Sequence, residues 1–141
     1  MRFFSNKLAA LALLCMASPA FAATTIKVVE GGEAGGPMTL TLDQSTTRAG
    51  ETIFQVHNDA MAEEHEMVLV KLKSADQKLK VIAAKHRIDE KQLETPGEVS
   101  ELKPGADGQL KAKLTPGSYV LLCNIKGHYE AGMRATLTVT E

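Results

Sequence analysis

The stretch GSYVLLCNIKGHYEAGMRATLTV, residues 117–139, predicts two β-strands joined by a loop that carries metal-binding side chains. The segments on both sides of the loop are rich in Val, Leu and Thr, as strands are. The loop itself holds Cys123, His128 and Met133 at intervals of five residues. A thiolate, an imidazole and a thioether on one short loop match the soft, mixed donors that copper prefers.

The first 22 residues have the pattern of a secretory signal peptide. Arg2 and Lys7 supply a positive start, the apolar run LAALALLCM follows, and AFA ending at Ala22 fits a cleavage site. The run is shorter than the roughly 20 residues that span a bilayer. We therefore predict a signal peptide over residues 1–22, cleavage after Ala22, a periplasmic location, and one mature domain over residues 23–141.

The charge of the mature chain gives no reason to expect a nucleic acid partner. The full chain has a formal net charge of −1, and loss of Arg2 and Lys7 makes it −3. A weakly acidic protein lacks the basic surface that binds phosphate backbones. No later apolar run is long enough for a membrane span.

Cys123 is left without a disulfide partner when the signal peptide is removed, because Cys15 lies within that peptide. Cysteines of exported proteins are usually paired. A single cysteine there forms an intermolecular disulfide, stays as a buried thiol, or is held as a thiolate by a metal. The spacing to His128 and Met133 favours the metal.

The mature chain reads as an all-β protein, a Greek-key β-sandwich or barrel of about seven to eight strands. Turn signals such as GGEAGGP, KPGADG and TPGS separate its strand-like segments. Residues 74–97 interrupt this pattern, and their sequence is compatible with either a partly helical or an irregular excursion. The predicted strands are residues 25–30, 38–43, 52–58, 66–73, 108–114, 118–124 and 134–140.

A second imidazole is needed to complete a copper site of the two-histidine, one-cysteine type. His65 opens a predicted strand, so a sandwich can bring it beside the loop after another strand. His57 falls on the polar face of its predicted strand, and His86 lies between Lys85 and Arg87, where a cation would be repelled. His65 is the best candidate and His57 its main competitor.

The segment from Gly117 to Val139 resembles the C-terminal signature of the cupredoxins, the small blue copper proteins of the plastocyanin/azurin family. Its Cys-x4-His-x4-Met spacing is similar to that of rusticyanin and auracyanin, and HEMVLV resembles the strand that begins with the family's first ligand histidine. The resemblance implies one mononuclear type 1 copper site with four ligands. By this resemblance the ligands are His65, Cys123, His128 and Met133. The chain departs from azurins at Glu66, where they carry asparagine.

The resemblance implies one-electron transfer without catalysis, since all four ligand positions are filled by side chains. We expect a monomer that meets redox partner proteins by weak, transient docking, with His128 as the electron port. The alternative is a periplasmic copper carrier that binds Cu(I) through histidine and methionine. His65-x-Met67, with Met61 and His57 nearby, is the sequence feature that supports a carrier.

Overall fold

Strand β1, Thr24–Gly31, shows how alternation in the sequence becomes one face of the core. Ile26, Val28 and Glu30 are buried, while Lys27 and Val29 between them are exposed. Successive side chains of a strand point to opposite faces of the sheet, so one apolar row faces inward. The third member of that row is an acid, which the core accommodates at full burial.

The structure, a computed structural model, describes residues 22–141. The predicted signal peptide lies outside the described residues apart from Ala22. Among the described residues no helix is long and apolar enough to cross a membrane. After β1 come β2 (Thr39–Leu42), β3 (Thr46–Arg48), β4 (Gly50–Asn58), β5 (His65–Lys71), β6 (Val81–Ile82), β7 (Arg87–Ile88), a 3-10 turn (Glu90–Gln92), β8 (Glu94–Leu102), β9 (Asp107–Leu114), β10 (Gly117–Leu122) and β11 (Arg134–Thr140).

Two sheets pack face to face. The first has the order β2-β1-β4-β9 and the second the order β3-β11-β10-β5-β8, while β6 and β7 form a small hairpin. The pairs β1–β4 and β3–β11 are parallel, and the other pairs are antiparallel. This architecture confirms the predicted Greek-key β-sandwich.

The core between the sheets is mainly aliphatic, with Phe54 and Tyr119 as its aromatic members. A second apolar cluster covers the other face of the five-stranded sheet, where Ile88 of the hairpin packs with Val68, Val70 and Leu122. Strands β5 and β10 are therefore buried on both faces. Their runs VLV and YVLL are continuously apolar for this reason.

The edge strands β8 and β9 of the two sheets meet where glycine leaves room for the opposite side chain. A Cβ on Gly97 would lie 2.6 Å from Leu110 Cδ1, and one on Gly108 would lie 2.4 Å from Val99 Cγ1. Each glycine therefore admits an apolar side chain from the other sheet. The sandwich closes along this edge.

Residues 74–97 form short pieces of β-structure. The sequence was compatible with either a partly helical or an irregular segment here. These residues contain the β6–β7 hairpin, the 3-10 turn and the beginning of β8. Together with β3, these elements add four strands to the seven that the sequence predicted. Each of the seven predicted strands is present, with ends that differ by at most two residues.

Candidate metal centre

Strand register brings the predicted ligands to one end of the sandwich. Leu122, the last residue of β10, lies opposite Val68 of β5 and Arg134 of β11. Cys123 follows it directly and so lies beside the beginnings of both neighbouring strands. His65 is the first residue of β5, as the sequence predicted, and Met133 immediately precedes β11.

Three nitrogen and sulfur donors converge at this end. His65 Nδ1 lies 3.2 Å from His128 Nδ1, which in turn lies 3.4 Å from Cys123 Sγ. The three donor atoms all lie within 4.8 Å of one another, and all three residues are buried. Metal–nitrogen bonds of about 2 Å place two nitrogens on one ion no more than about 4 Å apart. The spacing therefore suits a single ion.

A backbone carbonyl fixes the orientation of the His65 ring. His65 Nε2 lies 3.2 Å from the carbonyl oxygen of Gly32. A carbonyl oxygen only accepts hydrogen bonds, so Nε2 carries the proton and Nδ1 keeps its lone pair. This partner leaves the correct nitrogen of His65 free to bind a metal.

Both imidazoles favour the neutral form that a metal requires. Burial lowers the pKa of His65, although the Gly32 carbonyl and the charges of Glu63 and Glu33 act in the other direction. Burial also lowers the pKa of His128, and the neighbouring His65 lowers it further. The rings meet edge to face with their centroids 5.1 Å apart.

Cys123 is a buried thiol in the metal-free protein. Burial raises its pKa to about 12, while backbone N–H groups of Glu66 and Ile125 act against that shift. The Glu66 N–H donates to Cys123 Sγ over 3.5 Å. A metal must therefore displace the thiol proton, and binding at this site releases a proton.

Hydrogen bonds within the loop hold its two ends together. The Cys123 N–H donates to the Met133 carbonyl, and the Met133 N–H donates to the His128 carbonyl, each over 3.1 Å. Gly127 and Gly132 have φ values of +82° and +107°, which glycine adopts at little cost. The loop closes tightly around its own ligand-bearing residues.

The segment between β1 and β2 packs against the same loop. Gly32 bonds His65 through its carbonyl, and the Met38 N–H donates to the Ala131 carbonyl over 3.1 Å. A Cβ on Gly32 would lie 2.7 Å from the Pro37 carbonyl oxygen. The glycine-rich sequence, which the sequence analysis interpreted as a turn, therefore also allows a close approach of the chain at the site.

Met133 is fully buried in the same apolar cluster as Cys123. Its backbone lies at the end of the candidate loop. Its role as a fourth, axial ligand stays a prediction.

The remaining candidate histidines lie outside the cluster. His57 pairs with Asp107 over 2.8 Å, and His86 pairs with Glu130 over 2.9 Å. Met67 is fully buried in the core, whereas Met61 is 90% exposed. His65, at the first position of its strand, therefore joins the cluster, whereas His57, on the polar face of its strand, does not.

Sequence reasoning missed how Glu66 and Asn124 connect the site. Glu66 Oε1 accepts the Asn124 N–H over 3.1 Å, while the Glu66 N–H reaches the Cys123 sulfur. Burial raises the pKa of Glu66, and the charge of Glu90 raises it further. The sequence feature that could have indicated this link is the carboxylate of Glu66, directly after His65. In the sequence analysis, Glu66 was noted only as a departure from azurins.

Known proteins match this chain by family and by fold. The family model of copper binding proteins, plastocyanin/azurin family, matches residues 26–140. No curated protein sequence matches significantly.

Three solved structures illustrate the fold. Reduced auracyanin from Roseiflexus castenholzii is 24% identical, with a TM-score of 0.60 over 86% of this chain and 100% of its own. An azurin from Methylomonas sp. strain J is 18% identical, with a TM-score of 0.57 over 85% and 100%. Rusticyanin from Thiobacillus ferrooxidans is 17% identical, with a TM-score of 0.59 over 85% and 80%.

The family match covers both sheets and the loop that carries Cys123 and His128. The fold of the solved structures agrees with it. The cofactor implied by the family, copper, agrees in its chemistry with the imidazole and thiol donors that the structure groups together. The chain belongs to the copper binding proteins of the plastocyanin/azurin family.

Proposed function

We propose that this protein carries single electrons through one copper ion bound by His65, Cys123, His128 and Met133. The observation that carries the proposal is the convergence of two imidazole nitrogens and one sulfur within 4.8 Å. These donors come from the start of β5 and from one loop after β10, as the cupredoxin resemblance implies. A copper ion supplies one-electron redox chemistry when it is bound there.

The surrounding residues favour transfer without a change of structure. The Gly32 carbonyl orients His65, and the Glu66 N–H reaches the sulfur of Cys123, where hydrogen bonds tune the potential. Burial of the donors excludes water and limits rearrangement. With Met133 as the fourth ligand, no position is left for a substrate, so we propose a carrier and not an enzyme.

We propose His128 as the route by which electrons reach a partner. It is the most exposed of the four proposed ligands, at 6%, whereas the other three are at 0%. We propose that a redox partner docks weakly and transiently on the surface around His128. The proposed location is the periplasm, on the basis of the signal-like sequence of residues 1–22.

A copper titration tests the function. Addition of Cu(II) to the purified protein should give an intense visible thiolate-to-copper band and a narrow copper hyperfine splitting. Cys123→Ser should abolish both, because the sulfur is their source. A colourless wild type, or a colour that persists in the serine variant, refutes the proposal.

The copper-carrier alternative draws on His65-x-Met67 and on the exposed Met61. Met67 is fully buried, so it offers no surface thioether for Cu(I). Tight Cu(I) binding with a pale Cu(II) form would nevertheless favour a carrier in the same titration.

A further inference from the structure

The β6–β7 hairpin and the 3-10 turn after it lie against the outside of the candidate copper loop. We call residues 81–92, which contain the hairpin and the turn, the cap segment. Ile88 anchors this segment in the apolar cluster on the five-stranded sheet, and Tyr129 of the loop packs against the same cluster. The loop is therefore held between the core and the cap segment.

Asn124, the residue after the proposed cysteine ligand, binds the cap segment through its whole side-chain amide. Its Oδ1 accepts the Ile88 N–H over 2.6 Å, and its Nδ2 donates to the Ile88 carbonyl over 3.0 Å. Nδ2 also donates to Glu90 Oε1 over 2.5 Å. Asn124 is 5% exposed, so loss of this amide would leave buried backbone groups of Ile88 unpaired.

Two further contacts join the cap segment to the loop. The Gly127 N–H donates to the His86 carbonyl over 2.8 Å, and His86 Nδ1 pairs with Glu130 Oε2 over 2.9 Å. His86 has a φ of +50°, an uncommon conformation for a residue other than glycine. Such backbone persists only where its surroundings impose it, and here it directs the carbonyl toward the loop.

The contact at Asn124 continues to the proposed metal ligand. The Asn124 N–H binds the carboxylate of Glu66, and the Glu66 N–H binds Cys123 Sγ. A movement of Asn124 would therefore change the hydrogen bond to the sulfur. Such a bond sets how strongly a thiolate donates to its metal.

We propose that Asn124 is a positioning residue through which the cap segment restrains the copper loop and sets the reduction potential of the site. This inference rests on the proposed electron-transfer function. It assigns a role to residues 81–92, whose contribution the sequence left open. Asn124 acts on the metal through Glu66 and Cys123 and is not itself a ligand.

Asn124→Ala tests the link directly. We expect copper affinity, measured by chelator competition, to fall about 10- to 100-fold. The reduction potential should fall as well, because a weaker hydrogen bond leaves the thiolate a stronger donor to Cu(II). In the copper-free protein, exchange of the Gly127 amide hydrogen should become about tenfold faster, since that amide bonds only the cap segment.

A pair of variants at Glu90 tests the same link and leaves the loop sequence intact. Glu90→Gln and Glu90→Ala both remove one negative charge, but only alanine removes the acceptor for Asn124 Nδ2. We expect Glu90→Ala to have the lower potential and the faster Gly127 exchange of the two. This pair also serves if Asn124→Ala does not fold.

Val139→Ala controls for a general loss of stability. Val139 is buried and lies near the end of β11 farthest from the site. The variant should unfold more easily while its copper spectrum and potential remain those of the wild type. Equal shifts in Val139→Ala and Asn124→Ala would overturn the proposal.

The outcomes separate this inference from the proposed function. A blue wild type whose potential and Gly127 exchange are unchanged in Asn124→Ala and Glu90→Ala overturns the positioning role alone. A colourless wild type refutes electron transfer and with it the influence on potential. The exchange measurement needs no copper and still decides whether Asn124 holds the cap segment to the loop.

Discussion

Replacing Glu30 by glutamine should stabilise the metal-free protein increasingly as the pH rises. Glu30 is fully buried, and neither of its carboxyl oxygens has a hydrogen-bond partner among the described residues. Burial, together with the negative charge of Glu66, raises its pKa from the usual 4.5 to about 8. Glutamine has nearly the same shape and stays neutral at every pH used here.

The direction in which the stability of the wild type changes with pH follows from proton binding. Above pH 4.5 the unfolded chain loses the Glu30 proton while the folded protein keeps it, so the folded state binds more protons and stability falls. The fall is complete near pH 8, where the folded protein also ionises. At about 1.4 kcal/mol per pKa unit, the full effect on the free energy of unfolding is about 5 kcal/mol.

Urea unfolding of copper-free wild type and Glu30→Gln between pH 4.5 and 9 measures this effect. The two proteins should differ little at pH 4.5, and the variant should be several kcal/mol more stable at pH 8.5. Glu51→Gln, at an exposed position of β4, should show no comparable pH-dependent gain. Parallel stability curves for wild type and Glu30→Gln would refute the reasoning.

Three other variants test the site and the core. Met133→Leu should keep the blue copper spectrum and raise the reduction potential, since a weak donor to Cu(II) is lost; loss of all copper binding would contradict a merely axial role. Gly32→Ala should weaken copper binding in chelator competition, because its Cβ would lie 2.7 Å from a backbone oxygen beside the carbonyl that orients His65, whereas Gly35→Ala, also at positive φ but with no atom within 4 Å, should bind copper normally. Phe54→Ala should lower the unfolding free energy by about 3–5 kcal/mol in urea titration, because Phe54 is fully buried; a loss below about 1 kcal/mol would contradict its place in the core.

Alternation made most of the sandwich predictable from sequence. Segments such as TIKVVE and RATLTVT have one apolar face, and each forms a strand. The same alternation put Glu30 on the buried face with Ile26 and Val28. Its burial was therefore predictable from the sequence.

Strand β8 was missed for a physical reason. Its sequence ETPGEVSEL contains Pro96 and Gly97, which usually indicate a turn. An edge strand tolerates proline, since one side of its backbone needs no partner, and Gly97 admits Leu110 from the other sheet. Strands β6 and β7 have two residues each, too few for a repeating pattern.

The candidate site was predictable as far as the grouping of His65, Cys123 and His128. Strand ends meet at one end of a sandwich, and this favoured His65 over His57. The Gly32 carbonyl and the Asn124 amide act through contacts between distant segments, for which spacing along the sequence gives no signal. Those contacts depend on the packing of the cap segment and of the β1–β2 connection.

The closure of the sandwich at Gly97 and Gly108 bears on how the protein behaves at high concentration. Exposed strand edges recruit strands from other molecules and so promote aggregation. Here the two long edge strands, β8 and β9, cover each other, and the opposite edges are β2 and β3, with four and three residues. A Cβ at either glycine would crowd Leu110 or Val99 of the facing strand, so glycine at these two positions helps the long edges to cover each other.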